Sequence, residues 1–492
     1  MRFTDEQRAV IESDNLVSKI NAVAGSGKTT TLIEYAACRP RERILYLAYN
    51  RSVAAELKEK LLARNLKHVA VSTMHGLAYR YTGSHNLKLE GDISEWRLLD
   101  QYVPAAERAT ERATLYAWLL KDLLNFYLNS EIRALDDSLL SAYLTITAPS
   151  DQACALLERH GEEMLAIVRN ILADMRAGRM PAIHDFYLKL FQFIPARLPY
   201  DRVMVDEAQD VSPVMLAIVR RQSHMRQIFV GDTFQQIYGF RFAIDSLGAI
   251  EGNRYWLTQT FRFGDKLARH LSAQVNDAYE ILGETTSLQI RGAEQDTRFG
   301  KQMQQQHPHK TVIARSNLSL FEAVIEHISR KNGNLYFEGG HSGYGFLNPR
   351  VVGLFYLKEG QPAKINDPFI QRFPTFDEVK RFAQDAQSQA LSLAWDLVQR
   401  HGNRLFEFDR CIKERLVEKH RAQAVFTTTH KAKGQEYEDV EMVEDDFTTR
   451  EDLARLYNSG KSDINPARLK EEINIYYVAA TRAKKSIRLA DF

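Results

Sequence analysis

Cysteine is scarce: Cys38, Cys154 and Cys411 are the only three in 492 residues, too few and too far apart for a disulfide framework or a Cys-x-x-Cys metal knuckle. A reducing, cytoplasmic setting is expected. A charge bias is missing too, because 65 Lys and Arg against 63 Asp and Glu leave a formal net charge of +2. The whole molecule therefore has no strong field to attract polyanions, and any nucleic-acid site must be a local groove. No apolar run approaches the length of about 18 residues that reads as a membrane-spanning helix. The opening MRFTDEQRAV lacks a basic stretch followed by an apolar one, so neither an export signal nor an anchor is expected. Low-complexity tracts and short-period repeats are also lacking, which excludes solenoids. What is present is a globular composition, 45% hydrophobic and 26% charged. At about 100 to 200 residues per domain, this length accommodates three or four domains.

The first eighty residues alternate apolar runs with helical pattern: VSKINAVA, TTTLIEYAA, RILYLAY, SVAAELKEKLLA, HVAVST. This β-α-β-α-β rhythm predicts a parallel sheet covered by helices. From 82 to 198 the pattern turns helical, as in ATLYAWLLKDLLNFYL, and predicts an inserted helical domain. Strand signals return at RVMVDEA and QIFVGD, then at TVIARSN, AVFTTTH, DVEMVED and SIRLAD. A second insertion is expected over 335–415, opened by the glycines of FEGGHSGYGFLNP and holding four of the 13 prolines, Pro349, Pro362, Pro368 and Pro374. The fold class expected is α/β, with two parallel-sheet domains, each interrupted by an insertion.

AVAGSGKTT at 22–30 has the [AG]-x4-G-K-[ST] spacing between an apolar strand and an amphipathic helix. Gly25 and Gly27 let the backbone wrap with its N–H groups inward. The helix start adds positive potential, Lys28 can reach the β/γ-phosphate oxygens of ATP, and Thr29 can hold Mg²⁺. Ala24, Ser26 and Thr30 complete the expected nucleotide contacts. VMVDEAQD at 203–210 ends an apolar strand in two acids. Asp206 suits the metal shell, and Glu207 is placed to accept a proton from an attacking water. IYGFRF at 237–242 gathers aromatic and cationic groups after a candidate phosphate-sensing loop, as a platform for single-stranded bases requires; its candidates are Tyr238, Phe240 and Arg241.

Ten segments in order, FTDEQRAVI, AVAGSGKTT, LAYNRSVAAEL, VSTMHGLAYR, VMVDEAQD, IFVGDTFQQIYGFRFA, LTQTFRFG, VIARSN, TTTHKAKGQEYEDV and IYYVAATRAKK, resemble the motif series of UvrD/Rep-type superfamily 1 DNA helicases over residues 3–485. FEGGHSGYGF and its spacing to THKAKGQEYEDV look closest to the helicase portion of the F-box DNA helicase branch. The resemblance implies two RecA-like domains: 1A over 1–81 and 199–258, and 2A over 259–334 and 416–492. It also implies a helical insertion 1B over 82–198 and a reduced 2B-like insertion over 335–415. It implies that Gln7 reads adenine, Phe261 stacks on the base and Glu436 contacts the ribose. Gln235 is implied as the γ-phosphate sensor, and Arg262 and Arg482 as arginine fingers from the second α/β domain. Tyr49, Asn50 and His75 are implied to line DNA on the first domain, and His430 and Lys431 on the second.

Two departures stand out. Phe240 replaces the family's usual Trp, and Ile473 and Asn474 stand where the family often has two arginines. The family's C-terminal tail and any fused nuclease are not expected. The activity implied is ATP- and Mg²⁺-dependent 3′ to 5′ movement on single-stranded and partial-duplex DNA, with strand separation, in repair, recombination or replication. The location implied is cytoplasmic or nucleoid-associated, with no membrane partner. Two competing readings are a translocase that strips proteins from DNA, motivated by the reduced second insertion, and a non-unwinding, ATP-switched partner of a larger complex.

Overall fold

A computed structural model of the protein describes residues 2–108, 112–239, 246–301, 309–331, 333–459 and 465–492. The first sheet has six strands: β1 (Val17–Ala22), β2 (Ile44–Ala48), β3 (Val69–Thr73), β4 (Arg202–Val205), β5 (Arg226–Gly231) and β6 (Asn253–Leu257). Their spatial order is β3-β2-β4-β5-β1-β6, and every neighbouring pair is parallel. β2 and β4 are buried along their whole length, because helices cover both faces. β4, β5 and β1 are adjacent, so the loops leaving their carboxyl ends meet at one crevice. That is where open α/β sheets bind ligands.

Between β3 and β4 the described residues contain helices and no named strand. Helix Ala113–Asn129 is apolar on most of its surface and buries Leu119, Leu120, Leu123 and Leu124 completely. Each such leucine contributes about 1.5 to 3 kcal/mol of burial, so this helix is the core of the insertion rather than a solvated arm.

A short ladder follows, β7 (Gln259–Gly264) with β8 (Arg291–Ala293). The second sheet contains β9 (Arg298–Gly300), β10 (Lys310–Ala314), β11 (Leu335–Phe337), β12 (Ala424–Thr428), β13 (Tyr437–Met442) and β14 (Ala483–Arg488), in the order β11-β12-β10-β13-β14-β9, again all parallel. Leu335–Phe337, expected to open the second insertion, is instead an edge strand of this sheet. Its two end residues are buried against β12, and the glycine-rich break follows it. From Pro349 to Glu414 the described segment is helical.

The two helical segments touch. Ser150 Oγ donates to the Asp385 carbonyl at 2.8 Å, and the Arg372 guanidinium lies 4.5 Å from the Trp96 ring centre. Among the described residues no helix is long and apolar enough to cross a membrane.

Candidate active site and nucleic-acid track

The loop between β1 and helix Lys28–Ala37 turns on Gly25 and Gly27, both left-handed with φ of 75° and 76°. At Gly25 a side chain is excluded twice over, since a Cβ there would lie 2.6 Å from both Arg262 Cβ and Thr260 Oγ1. Ser26 Oγ is buried and has no hydrogen-bond partner among the described residues. A phosphate oxygen, with several lone pairs, is the kind of acceptor that would satisfy it.

Lys28 opens the helix and its Nζ donates to both oxygens of Glu207, at 2.9 and 3.0 Å. Burial works against the ammonium, but Glu207, Asp206 and Asp232 outweigh it and raise its pKa. Glu207 itself is left-handed, with φ of 51°. That turn lets its N–H donate to Asp206 Oδ1 at 2.9 Å while its carboxylate swings toward Lys28. Burial disfavours the charged form of Glu207, yet Lys28, Lys433 and the Gln209 amide hold its pKa down to about 2. Asp206 goes the other way, raised by burial and by Glu207. Tyr46 OH donates to Asp206 at 2.7 Å. Thr29 and Asp206 are the residues expected to hold Mg²⁺. The hard oxygen donors there fit that ion.

From β5 comes Asp232, whose carboxylate accepts from Gln235 Nε2 at 2.7 Å and from Tyr477 OH at 3.2 Å. Gln235 Oε1 accepts from Arg482 Nη2 at 3.4 Å. Arg482 is 1% exposed, and burial together with Arg262 lowers its pKa to about 9. Arg262 donates to Glu436 at 2.7 and 3.0 Å and to the Thr481 carbonyl at 2.9 Å. Glu436 and Arg482 immediately precede the paired residues Tyr437 and Ala483 of β13 and β14, which explains why chain-distant groups gather here.

The remaining nucleotide candidates lie close by. Phe261 N–H donates to the Gly25 carbonyl at 2.9 Å, and its ring is 53% exposed beside Gly27. Gln7 is buried. Its Oε1 accepts from the Thr4 N–H at 3.0 Å in a capping box, and its Nε2 donates to the Ser26 carbonyl at 3.2 Å. Ala24 N–H donates to Tyr477 OH at 3.3 Å, and Thr30 lies in the first turn of the loop's helix.

The nucleic-acid candidates are less uniform. Tyr49 and Tyr238 stack with ring centres 5.9 Å apart and 17° between planes. Tyr238 OH donates to the His430 carbonyl at 3.1 Å. Burial and Arg315 lower the pKa of His430 to about 4. Asn50 caps helix Arg51–Ala63, accepting from Val53 N–H at 2.9 Å. His75 Nε2 is 2.9 Å from Asp185 of the helical insertion, and Lys431 Nζ lies 3.5 Å from the Tyr344 ring centre. Phe240 and Arg241 lie outside the described residues.

Sequence reasoning missed Tyr46, Gln209, Asp210, Lys433 and Tyr477. Lys433 Nζ donates to Asp210 Oδ2 at 2.5 Å from the second sheet's side of the crevice. Burial raises the Asp210 pKa to about 6. Lys433 and Asp210 stand inside the quoted strings KAKGQE and DEAQD, so the letters were in view; their pairing is tertiary. Tyr477 sits in an apolar run and reads as core.

A crevice with a glycine-loop lysine, adjacent strand-end carboxylates and arginines from the second half of the chain defines a nucleotide-binding fold built on two parallel sheets. Comparison with known families agrees. The UvrD/REP helicase N-terminal domain matches residues 3–247, and the UvrD-like helicase C-terminal domain matches residues 403–490. The chain belongs to the UvrD-like DNA helicases. It is 29% identical to F-box DNA helicase protein 1 of Schizosaccharomyces pombe, over 99% of this chain and 57% of that protein. It is 28% identical to F-box DNA helicase 1 of Gallus gallus, over 100% of this chain and 49% of that protein. DNA helicase IV of Escherichia coli is 28% identical over 53% of this chain and 45% of its own length. The chain spans about half the length of these curated relatives.

Proposed function

We propose that the protein is an ATP-dependent motor that moves 3′ to 5′ along single-stranded DNA and separates strands ahead of it. The observation that carries this reading is the composite crevice. Lys28 and Glu207 follow strands of the first sheet, Arg262 sits on the β7–β8 ladder and Arg482 just before β14 of the second sheet, and Gln235 touches Arg482 across the gap. In this reading the organisation is 1A and 2A around the crevice, with the helical segments as 1B and a reduced 2B.

Lys28 exchanges its Glu207 partner for phosphate oxygens when ATP enters, which frees the carboxylate to take a proton from the attacking water. Mg²⁺, when bound by Thr29 and Asp206, supplies neutralisation of phosphate charge. Arg262 turns from Glu436, and Arg482 is already aimed across the crevice by Gln235. Their planar guanidinium donors suit charge spreading over the transferring phosphoryl group. Tyr49 and Tyr238 supply faces for bases, so seating of a strand and closure of the crevice act on one loop.

The test is ATP turnover with and without single-stranded DNA, followed by unwinding of duplexes carrying a 3′ or a 5′ overhang. Stimulation by DNA and unwinding of the 3′-tailed duplex alone are expected. DNA-independent turnover, or preference for the 5′ tail, contradicts the reading.

A further inference from the structure

The loop that joins the nucleotide crevice to the nucleic-acid track, Asp232 to Gly239, is held by one face of one helix. Helix Pro466–Ala480 presents Glu471, Asn474 and Tyr477 at intervals of three, the spacing that aligns side chains along a helix. Glu471 accepts from the Gly239 N–H at 3.1 Å. Asn474 Nδ2 donates to the Gln236 carbonyl at 3.0 Å, while its Oδ1 accepts from Tyr279 OH at 3.0 Å. Tyr477 OH donates to Asp232 at 3.2 Å and accepts from the phosphate-loop N–H of Ala24 at 3.3 Å. The loop therefore runs antiparallel to the helix, with three polar contacts from its DNA end to its nucleotide end.

These contacts are built rather than incidental. Asn474 is 4% exposed and Tyr477 is fully buried, and both ends of the Asn474 amide are satisfied. Gly239 packs closely on this contact: a Cβ there would lie 2.8 Å from Glu471 Oε2, so a side chain would push the carboxylate aside. Two residues past the helix, Arg482 reaches Gln235 of the same loop. A buried donor or acceptor that loses its partner is costly, so the loop and the helix must shift together.

We propose that helix Pro466–Ala480 couples the two ends of the site, with Glu471, Asn474 and Tyr477 as positioning residues: a strand seated at Tyr238 and Gly239 is registered through this helix at Asp232, Gln235 and Arg482. The proposal rests on the motor reading above. By reciprocity, nucleotide must then alter DNA affinity through the same contacts.

The experiment compares the full chain with Glu471→Ala and Glu471→Gln, measuring ATP turnover with and without oligo-dT. It also measures oligo-dT affinity with and without a non-hydrolysable ATP analogue. In Glu471→Ala, DNA stimulation of turnover is expected to fall about ten-fold, and the analogue's effect on DNA affinity to shrink toward none. Turnover without DNA and affinity without nucleotide should stay within about three-fold of the unmodified chain, as for a lost positioning contact rather than a lost binding group. Glu471→Gln, whose amide oxygen still accepts from Gly239, should retain coupling.

Full stimulation in Glu471→Ala overturns the proposal, and so does equal loss in both variants, which would point to the charge and not to the hydrogen bond. If the unmodified chain shows no DNA stimulation at all, the motor reading fails first and the coupling role falls with it. Should Glu471→Ala not fold, Tyr477→Phe removes a single oxygen at the other end of the same face. Loss of stimulation with DNA affinity unchanged supports the link, and unchanged stimulation overturns it.

Discussion

The proposed nucleotide crevice and the proposed nucleic-acid track are held in different ways. In the crevice most of the charged and amide candidates are bonded to one another: Lys28 to Glu207, Asp206 to the Glu207 N–H, Gln235 to Arg482, Arg262 to Glu436. Along the track the candidates are engaged with ordinary scaffold. Asn50 is a helix cap, His75 is tied to an insertion aspartate and Lys431 rests on Tyr344, while Tyr49 and Tyr238 meet each other. Preorganised charge suits a reaction whose transition state is stabilised electrostatically. A surface that must release and re-grip a strand at each step is better served by stacking, which tolerates any base. The two regions teach that a site's chemistry is written in how completely its polar groups satisfy one another.

Substitutions can break this contrast. The largest effect is expected at Lys28, where Lys28→Ala should lower ATP turnover by on the order of 10³-fold with the folded state retained, as thermal unfolding would show. Next is His430, which burial and Arg315 keep neutral down to about pH 4, against an ordinary value of 6.5. Its folded-state value is depressed, so the unfolded chain binds the proton more readily. Its contribution is therefore present above about pH 6.5 and is lost as the pH falls through about 4, a change on the order of 3 kcal/mol. Denaturant titrations across that window should show the loss, and His430→Gln should flatten it.

Tyr238→Ala should weaken oligo-dT binding roughly ten-fold with little change in nucleotide binding, measured by fluorescence anisotropy. The smallest effect belongs to Asn50. Asn50→Ala should cost about 1 kcal/mol of stability through the lost cap, and Asn50→Asp should restore most of it. A large DNA-affinity defect in Asn50→Ala at unchanged stability would erase the distinction between scaffold and contact.

Much of the crevice is legible in the sequence because its parts sit at strand ends within short strings. AVAGSGKTT lies between a strand and a helix, and VMVDEAQD ends an apolar strand. The two-sheet architecture follows from the same parallel-strand pattern. The edge strands Arg291–Ala293, Arg298–Gly300 and Leu335–Phe337 are not legible, since three residues cannot display a period of two. Nor are the pairings that span the crevice. Lys433 and Asp210 are far apart in the chain, and Tyr477 is indistinguishable from its apolar neighbours until the helix carrying it is docked. Asn474, noticed as a missing arginine, gains its meaning from the Gln236 carbonyl opposite it.

The central claim is that one nucleotide pocket is assembled from both halves of the chain. Its most direct test is DNA-stimulated ATP hydrolysis in the Arg262→Lys, Arg482→Lys double variant, with nucleotide affinity measured alongside. Charge is kept there while the planar forks are lost, so binding should stay within about ten-fold and turnover should fall by at least about 10²-fold. Turnover at the unmodified rate would contradict the account, because the planar forks from the second half of the chain would then contribute nothing to the reaction.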